Sequence, residues 1–275
     1  MQRSLPAVLV LPVVLLVGGL FLLPVLRILA ISFTEPAAGI GNYVALFTQP
    51  LYLKIMATTA RVCIWTTVIA LALGYLVAYV MANVPEHVRS WMTICLLVPF
   101  WLSVLVRAFA WVLLLSKEGA VNATLMALGL VDRPLALLRN ETGVLIGMVH
   151  YMIPYAVLPM LTNMLGMDRS LMAASRALGA GPVRTFLRVY LPLSLPGVLA
   201  AAVLVFIFCL GFFITPALLG GGKTVMVAQY IEFGISETMN WGISTAFASA
   251  LLVTVVLSLI LMSRCVRVPS LFGAP

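Results

Sequence analysis

The side chains of this sequence that could do chemistry are few, and most of them lie inside long apolar runs. Arg107 stands in the middle of one run, with Trp111 four residues further on. A charge at membrane depth costs at least a few kcal/mol unless it faces a protein interior or a water-filled cavity, so we expect Arg107 to face inward. There it could line a solute pathway or pair with a partner subunit.

A second group of candidates stands beside prolines in two other apolar runs. We expect the helix to break near His150 and Pro154, because broken backbone at membrane depth is tolerated where it lines a cavity. Aromatic side chains beside such a break could line a pathway, and packing is their alternative role. The pathway candidates are therefore Arg107, Trp111, Tyr151, Tyr155, Phe213 and Thr215.

Acidic residues are absent from the apolar runs, since all eight Asp and Glu fall between them. A polycationic solute would then be held by carboxylates of a partner or by aromatic faces, and an anionic or zwitterionic solute is the alternative. Ion-gradient carriers usually bind their coupling ion with a carboxylate in a span, and enzymes cluster titratable side chains. The two histidines, His87 and His150, stand far apart. We expect neither a gradient-driven carrier nor an enzyme, and no metal site.

One phosphate-binding pattern almost occurs, in the segment from Ala217 to Thr224. Ala217 takes the place of the first glycine of GxxxxGK[ST], and no strand precedes it. We therefore expect a glycine turn there that does not bind ATP.

The elements that must position these residues are membrane-spanning helices. The chain has 275 residues, of which 63% are hydrophobic and 9% charged, and its mean hydropathy is +1.17. A helix needs about 20 mainly apolar residues to cross the hydrocarbon layer. The sequence predicts an all-α integral membrane protein of about six transmembrane helices, near residues 5–31, 56–82, 91–115, 143–165, 197–219 and 243–263.

The net charge of +8 is explained by topology. With the N-terminus in the cytoplasm, the inner side carries eight arginines against two acids, and the outer side carries five basic residues against six acids. Short cytoplasmic loops are enriched in Lys and Arg, so both termini are expected in the cytoplasm. Nucleic acid is not an expected partner, whereas membrane lipid is.

Residues 167–197, which we name the coupling segment, are too polar to span a membrane and too periodic for a loose loop. Asp168 or Ser170 can cap a first helix that carries an apolar stripe. Gly179 and Gly181 then break that helix, and Pro182 suits the start of the next. The expected result is a short helix at the inner face followed by a tight turn.

The coupling segment resembles the EAA loop of permease subunits in binding-protein-dependent ABC importers. Ala173, Ala174 and Ser175 stand at the three EAA positions, and Gly179 stands at the glycine. Leu191 and Pro192 form the closing Leu-Pro. The departure is Ala173, where that family usually has glutamate. The resemblance sharpens toward the spermidine and putrescine permease branch, of the first-permease type, in the stretches 98–115, 119–160 and 212–224.

This resemblance implies a type I ABC importer permease fold with a cytoplasmic coupling helix. It implies that Ala173, Ala174, Ser175, Arg176, Gly179, Leu191 and Pro192 transmit movement from a cytoplasmic ATPase dimer. ATP and Mg would be bound by that ATPase, and this chain would need no cofactor. The other implied partners are a second, homologous permease and a periplasmic solute-binding protein.

The implied location is the bacterial inner membrane, with several passes, and the implied solute is a small polar amine such as a polyamine. An opine, an amino acid or another carboxylated solute is the alternative. We expect residues 1–55 to form the first span and an outer loop, 56–265 a five-helix permease core, and 266–275 a cytoplasmic tail.

Overall fold

The computed structural model describes the backbone of residues 5–265 and the side chains of residues 12–264. The expected cytoplasmic tail at 266–275 lies outside the described residues. Residues 5–265 form thirteen α-helices: α1 Leu5–Thr34, α2 Gly41–Thr48, α3 Pro50–Asn83, α4 Glu86–Trp101, α5 Val104–Leu115, α6 Ala120–Ala127, α7 Glu141–Leu165, α8 Arg169–Ala177, α9 Pro182–Thr185, α10 Leu191–Leu210, α11 Ile214–Leu219, α12 Val227–Ser236 and α13 Trp241–Cys265. A π-helical turn, Phe186–Tyr190, joins α9 to α10.

The chain divides into two compact units, and each contains residues from distant parts of the sequence. One unit joins Met1–Met56 to Tyr230–Thr254, and the other joins Ala57–Gln229 to Val255–Pro275. The expected domain boundaries at residues 55 and 265 stay a prediction.

Five helical stretches within the described residues are long and apolar enough to cross a membrane. The bent pair of α4 with the run Val104–Ala127 makes a sixth if it counts as one span. The prediction of an all-helical membrane protein with about six spans is therefore confirmed.

The predicted third span, 91–115, is not one straight helix. Helix α4 ends at Trp101, and the next helical run begins at Val104 after a bend of 96°. Pro99 lies in the last turn of α4, where it lacks the N–H that continues a helix, and Leu102 is extended with ψ 137°. Hydropathy is high on both sides of the bend, so the apolar run alone does not reveal it.

The helix that corresponds to the predicted fifth span, 197–219, begins and ends earlier in the chain than predicted. The helical path runs without interruption over Pro182–Leu210, through the π-helical turn, and Gly211 caps its end. Pro192 cannot donate to the carbonyl four residues earlier, and the wider turn before it is one way in which a helix accommodates proline. Helix α11 is a separate short helix, so Phe213 and Thr215 are not part of this span.

Helix α7 is continuous, so the predicted break near His150 and Pro154 is wrong. Asn140 caps it by accepting a hydrogen bond from the backbone N–H of Gly143 at 3.0 Å. Small residues let three neighbours approach α7 closely. A Cβ on Gly74 of α3 would lie 2.8 Å from Ala156, one on Gly197 of α10 would lie 2.7 Å from Asn163, and one on Gly147 would lie 2.5 Å from Leu219 of α11.

The unit that contains α1 has its own polar and aromatic contacts. The Asn42 amide donates to the carbonyls of Ser32 and Glu35 at 2.9 and 2.7 Å, which ties α2 to the end of α1. The Tyr52 ring packs edge-on against Phe247 at 5.5 Å. No residue is buried in the most apolar stretch of α1, so this helix leaves its side chains to lipid or to another chain.

Candidate functional site

An aromatic cluster lies where α4, α7, α10 and the turn after α10 meet. We use this name for Phe100, Tyr151, Tyr155, Phe208 and Phe212. Tyr155 contacts Phe100 and Phe208 at ring-centroid distances of 5.0 and 4.5 Å. Tyr151 contacts Phe212 at 4.6 Å and stacks on Tyr155 at 5.9 Å. Tyr151 and Tyr155 are four residues apart on α7, so they share one face of that helix.

Arg107 extends the aromatic cluster from α5. Its guanidinium carbon lies 4.2 Å from the centroid of the Tyr151 ring, a cation–π contact. The residue is 9% exposed, which agrees with the expectation that it faces inward. Its Nε atom is buried, and no group among the described residues accepts a hydrogen bond from it. A cation is therefore held here by an aromatic face in place of a carboxylate.

Trp111 and His150 form a pair at the edge of the same region. The Trp111 indole Nε1 donates to Nδ1 of His150 at 3.3 Å, and the two rings meet edge-to-face at 5.4 Å. The structure thus brings four of the six pathway candidates together, namely Arg107, Trp111, Tyr151 and Tyr155. Phe213 is 39% exposed and makes no recorded ring contact among the described residues. Thr215 is buried, and its methyl group packs over Gly147.

Sequence reasoning missed Phe100 and Phe208 as members of the cluster. Phe100 lies at the end of α4, just before a bend that the sequence did not predict, and Phe208 lies near the end of α10 among aliphatic residues. Neither has a neighbouring motif that would single it out. Both join the cluster only because α4 and α10 pack beside α7.

Within the described residues, Glu141 is the one carboxylate inside the five continuous candidate spans. Glu141 is the first residue of α7 and forms a bidentate ion pair with Arg61 of α3, with Nε–Oε1 and Nη2–Oε2 distances of 2.8 and 2.6 Å. The ion pair joins α3 to the start of α7, and neither of its residues belongs to the aromatic cluster.

The coupling segment folds in two pieces, as its spacing predicts. Asp168 caps α8 by accepting a hydrogen bond from the backbone N–H of Ser170 at 2.8 Å. Hydrogen bonds from the Ser170 side chain and backbone lower the pKa of Asp168 below its ordinary value, because they favour the carboxylate form. The predicted cap is therefore confirmed at Asp168.

Gly179 ends α8 with φ +83°, a left-handed conformation that side chains with a Cβ rarely adopt. The N–H of Gly179 donates to the backbone carbonyl of Arg176 at 2.9 Å, and the N–H of Ala180 donates to the backbone carbonyl of Ser175 at 3.1 Å. These two bonds form a Schellman motif, which satisfies the last carbonyls of the helix. Pro182 then begins α9 with its fixed φ.

A side-chain bond fastens α8 to the next piece of the segment. The Ser175 and Thr185 hydroxyls lie 3.1 Å apart, in a geometry in which either can donate. On one side of α8 there is a groove of about 690 Å³. It is lined by Leu171, Ala174, Ser175, Leu178, Ala180, Arg184, Arg188, Val189, Pro192 and Leu193.

A cavity of about 330 Å³, which we name the arginine cavity, lies on the other side of α8. Its lining includes Arg169, Ala173 and Arg176 of α8. The structure therefore separates the predicted coupling residues. Ala174, Ser175 and Pro192 line the groove, and Ala173 and Arg176 line the arginine cavity.

Comparison with known proteins gives a family match and close relatives. Residues 70–267 match the family described as "Binding-protein-dependent transport system inner membrane component". The spermidine/putrescine transport system permease protein PotB of Salmonella typhimurium is 31% identical over 236 residues, which cover 86% of this chain and 82% of that protein. The sulfoquinovosyl glycerol transport system permease protein SmoG of Agrobacterium fabrum is 27% identical over 264 residues, or 90% of this chain and 85% of that one.

Solved structures agree on the fold. A chain of the bacterial alginate ABC transporter, crystallised with an alginate pentasaccharide-bound periplasmic protein, superposes with a TM-score of 0.77. It is 17% identical, and the match covers 99% of this chain and 98% of that chain. The solutes named for these similar proteins are chemically different, so this fold serves more than one kind of solute.

Proposed function

This chain belongs to the inner membrane components of binding-protein-dependent transport systems, and we propose that the solute it moves is a small polar amine, such as spermidine or putrescine. As a member of this family it is a non-catalytic, multi-pass subunit of an ABC importer. It carries no cofactor of its own, and ATP is hydrolysed on a partner ATPase. Membership of the family does not identify the solute.

The observation that carries the proposal is the aromatic cluster. Its tyrosine and phenylalanine rings hold one cation already, the Arg107 guanidinium 4.2 Å from the Tyr151 centroid. An alkylammonium group is attracted to a ring face by the same electrostatic force, worth about 0.5–2 kcal/mol per contact. Glu141 is the one carboxylate inside the five continuous candidate spans of the described residues, and Arg61 already pairs with it. Further binding of a polyamine therefore rests on acids of the second permease.

Arg107 favours a second candidate, a carboxylated amine such as an opine or an amino acid. Its Nε is buried and has no hydrogen-bond acceptor among the described residues, and a carboxylate is the acceptor that arginine binds most strongly. A solute with both charges would use the tyrosine rings for its amine and Arg107 for its acid.

The assembly we propose has this chain paired with a second, homologous permease, and the solute route lies between them. Both termini are cytoplasmic, so α8 faces a cytoplasmic ATPase dimer. A solute-loaded periplasmic protein docks on the outer loops and the ATPase closes on ATP. The coupling residues, Ala173 to Arg176, Gly179, Leu191 and Pro192, then pass this movement to the spans. Alternating access follows from the movement of spans around a fixed solute site.

The test is ATP hydrolysis by the complex that co-purifies with this chain, in lipid and with its binding protein. Spermidine and putrescine are compared with carboxylated amines. Stimulation by polyamines supports the first proposal, and stimulation only by carboxylated amines supports the second. If no ATPase co-purifies, the importer assignment fails.

Two matched variants then test the aromatic cluster. Tyr155→Leu removes a ring face and should raise the polyamine concentration for half-maximal stimulation roughly 2- to 30-fold, the range of one cation–π contact. Tyr155→Phe keeps the face and should change this concentration little. An equal effect of both variants, or none, contradicts a cation–π role, and a thermal unfolding measurement separates it from loss of packing.

A further inference from the structure

The arginine cavity is built as a receptor for a negative charge. It lies between α8, the end of α3, the end of α7, α9 and the π-helical turn. Its lining residues are Tyr79, Ala82, Asn83, Met164, Arg169, Met172, Ala173, Arg176, Pro182, Thr185, Phe186 and Tyr190. They include two arginines and no carboxylate.

The two arginines of this cavity stand seven residues apart, two turns along one face of α8. Arg169 donates from Nη2 to the carbonyl of Ala82 at 2.9 Å, which fixes its guanidinium at the cavity wall. Arg176 has no ion-pair partner among residues 12–264. The single acid of the coupling segment, Asp168, already accepts a hydrogen bond as the cap of α8.

A tyrosine supplies an independent sign that a polar group is missing from this cavity. Tyr190 is 8% exposed and packs edge-on against Tyr79 at 5.2 Å. Its hydroxyl is buried beside the Asn83 side chain, and among the described residues it makes no hydrogen bond of good geometry. Buried hydroxyls are almost always hydrogen-bonded, so this hydroxyl in the cavity wall can take a further acceptor.

The open side of α8 shows how such an acceptor could arrive. Four exposed residues of this helix are small, namely Ser170, Ala173, Ala174 and Ala177. The leucines of this helix, Leu171 and Leu178, lie on the groove side, opposite Arg169 and Arg176. A helix that inserts into a bilayer surface turns bulky apolar side chains toward the lipid. On the side with Ala173 the bulky apolar side chain of α8 is Met172, which is half-buried in the lining of the arginine cavity. That face suits close contact with a protein.

We propose that the arginine cavity receives a carboxylate from the cytoplasmic ATPase, an Asp or Glu side chain that passes over Ala173 and binds between Arg169 and Arg176. The inference rests on the proposed function, since it requires that the ATPase docks on α8. A charge-assisted contact to guanidinium and a hydrogen bond from Tyr190 would supply an ion pair and an acceptor that the described residues do not give. The docking cleft of the ATPase is then acidic at this position.

A substitution at the cavity mouth tests the proposal. Ala173→Glu places a carboxylate four residues after Arg169 and three before Arg176, where it pairs with both in the same helix and repels an incoming acid. Solute-stimulated ATP hydrolysis by the co-purified complex should fall at least tenfold. Ala173→Gln has nearly the same size without charge, so the ratio of the rates of Ala173→Gln and Ala173→Glu reports the effect of the charge and should be several-fold. Equal loss in both variants, or a rate for Ala173→Glu at or above wild type, overturns the proposal.

Cross-linking gives a second readout that does not depend on activity. The lysines of this chain are Lys54, Lys117 and Lys223, so Arg176→Lys introduces an amine where the coupling segment has none. A water-soluble carbodiimide joins an amine to a carboxylate in contact with it as an amide, and the carbodiimide leaves as a urea. Arg176→Lys should give an adduct with the ATPase, and Arg176→Gln should give none. The absence of an adduct from Arg176→Lys overturns the proposal.

A lipid phosphate is the other source of a negative charge at this position. Ala173→Glu and Ala173→Gln are therefore compared in vesicles of phosphatidylcholine alone and of phosphatidylcholine with phosphatidylglycerol. The loss in Ala173→Glu should be the same in both. A loss confined to the anionic vesicles assigns the charge to lipid and overturns the proposal. If the wild-type protein co-purifies with no ATPase, the proposed function fails. If the wild type shows solute-stimulated ATP hydrolysis and the two Ala173 variants lose it equally, only this inference fails.

Discussion

The coupling segment and the aromatic cluster are assembled in different ways. The contacts that shape α8 and its turn come from within a few residues: the Asp168 cap, the two bonds of the Schellman motif and the Ser175–Thr185 pair. The aromatic cluster takes its members from α4, α7, α10 and the turn after α10. The first is a local structure fastened by few bonds, and the second exists only while several helices keep their packing.

This difference fits the roles proposed for the two regions, transmission of movement by the coupling segment and solute binding by the aromatic cluster. A segment held by local bonds keeps its shape when it moves as a body, which suits a part that transmits force. A cluster shared by four elements changes whenever one of them shifts, which suits a site whose affinity must alternate. Variants that damage one region and leave the other intact therefore test the comparison.

The largest expected effect is at Gly179, the residue with φ +83° that ends α8. Gly179→Asp should abolish solute-stimulated ATP hydrolysis and transport while membrane insertion continues, because a Cβ strains this turn by about 1–2 kcal/mol and a new charge joins the docking surface. Gly179→Asn tolerates the left-handed region better and should retain part of the activity. Lys223→Ala, outside the coupling segment, serves as the control with unchanged ATP use. Normal transport by Gly179→Asp would remove the coupling role from this turn.

A smaller effect is expected where α11 packs on α7. A Cβ at Gly147 would lie 2.5 Å from Leu219 and 2.8 Å from Thr215, so Gly147→Val should force α11 away from α7. Overpacking of this kind costs about 1–3 kcal/mol and should lower the thermal unfolding midpoint in detergent. Gly166→Ala is the matched control, since its Cβ would meet carbonyls no closer than 3.5 Å. An unchanged midpoint for Gly147→Val would show that the aromatic side of α7 is less tightly packed than described.

The smallest effect belongs to the Asp168 cap. Its pKa is lowered in the folded chain, so the stabilisation is present above the ordinary pKa of 3.8 and is lost only as pH falls through the lowered value. Amide hydrogen exchange in the first turn of α8 should therefore be insensitive to pH near neutrality once intrinsic exchange rates are divided out. Asp168→Ala should raise that exchange without changing the rest of the coupling segment. Equal protection in wild type and Asp168→Ala would show that the cap does not hold α8.

The local character of the coupling segment also explains why its form could be predicted. The capping Asp168, the terminating Gly179 and Pro182 act through neighbouring backbone groups, so their spacing fixes the two helical pieces. Long hydrophobic runs likewise predicted the spans, since they report the medium that surrounds a helix. They do not report continuity: the bend after Trp101, the end of α10 at Leu210 and the unbroken α7 depend on how helices pack and how prolines are accommodated.

The aromatic cluster could be predicted only in part for the same reason. Arg107 and the two tyrosines of α7 stood out because a charge and a repeated ring at membrane depth are unusual. Phe100 and Phe208 did not, because an aromatic residue in an apolar run is ordinary until its neighbours in space are known. Thr215 packs against Gly147, and its place along the pathway stays a prediction.

The uninterrupted helical path Pro182–Leu210 connects the coupling segment to the aromatic cluster. Its 29 residues amount to roughly 43 Å of helix, with Thr185, bonded to Ser175, near one end and Phe208, against Tyr155, near the other. A rotation of about 5° around the middle would displace each end by roughly 2 Å, about half the distance between the Tyr155 and Phe208 rings. In the proposed mechanism, a small tilt set by the ATPase would open or close the ring contacts without any change within the helix itself.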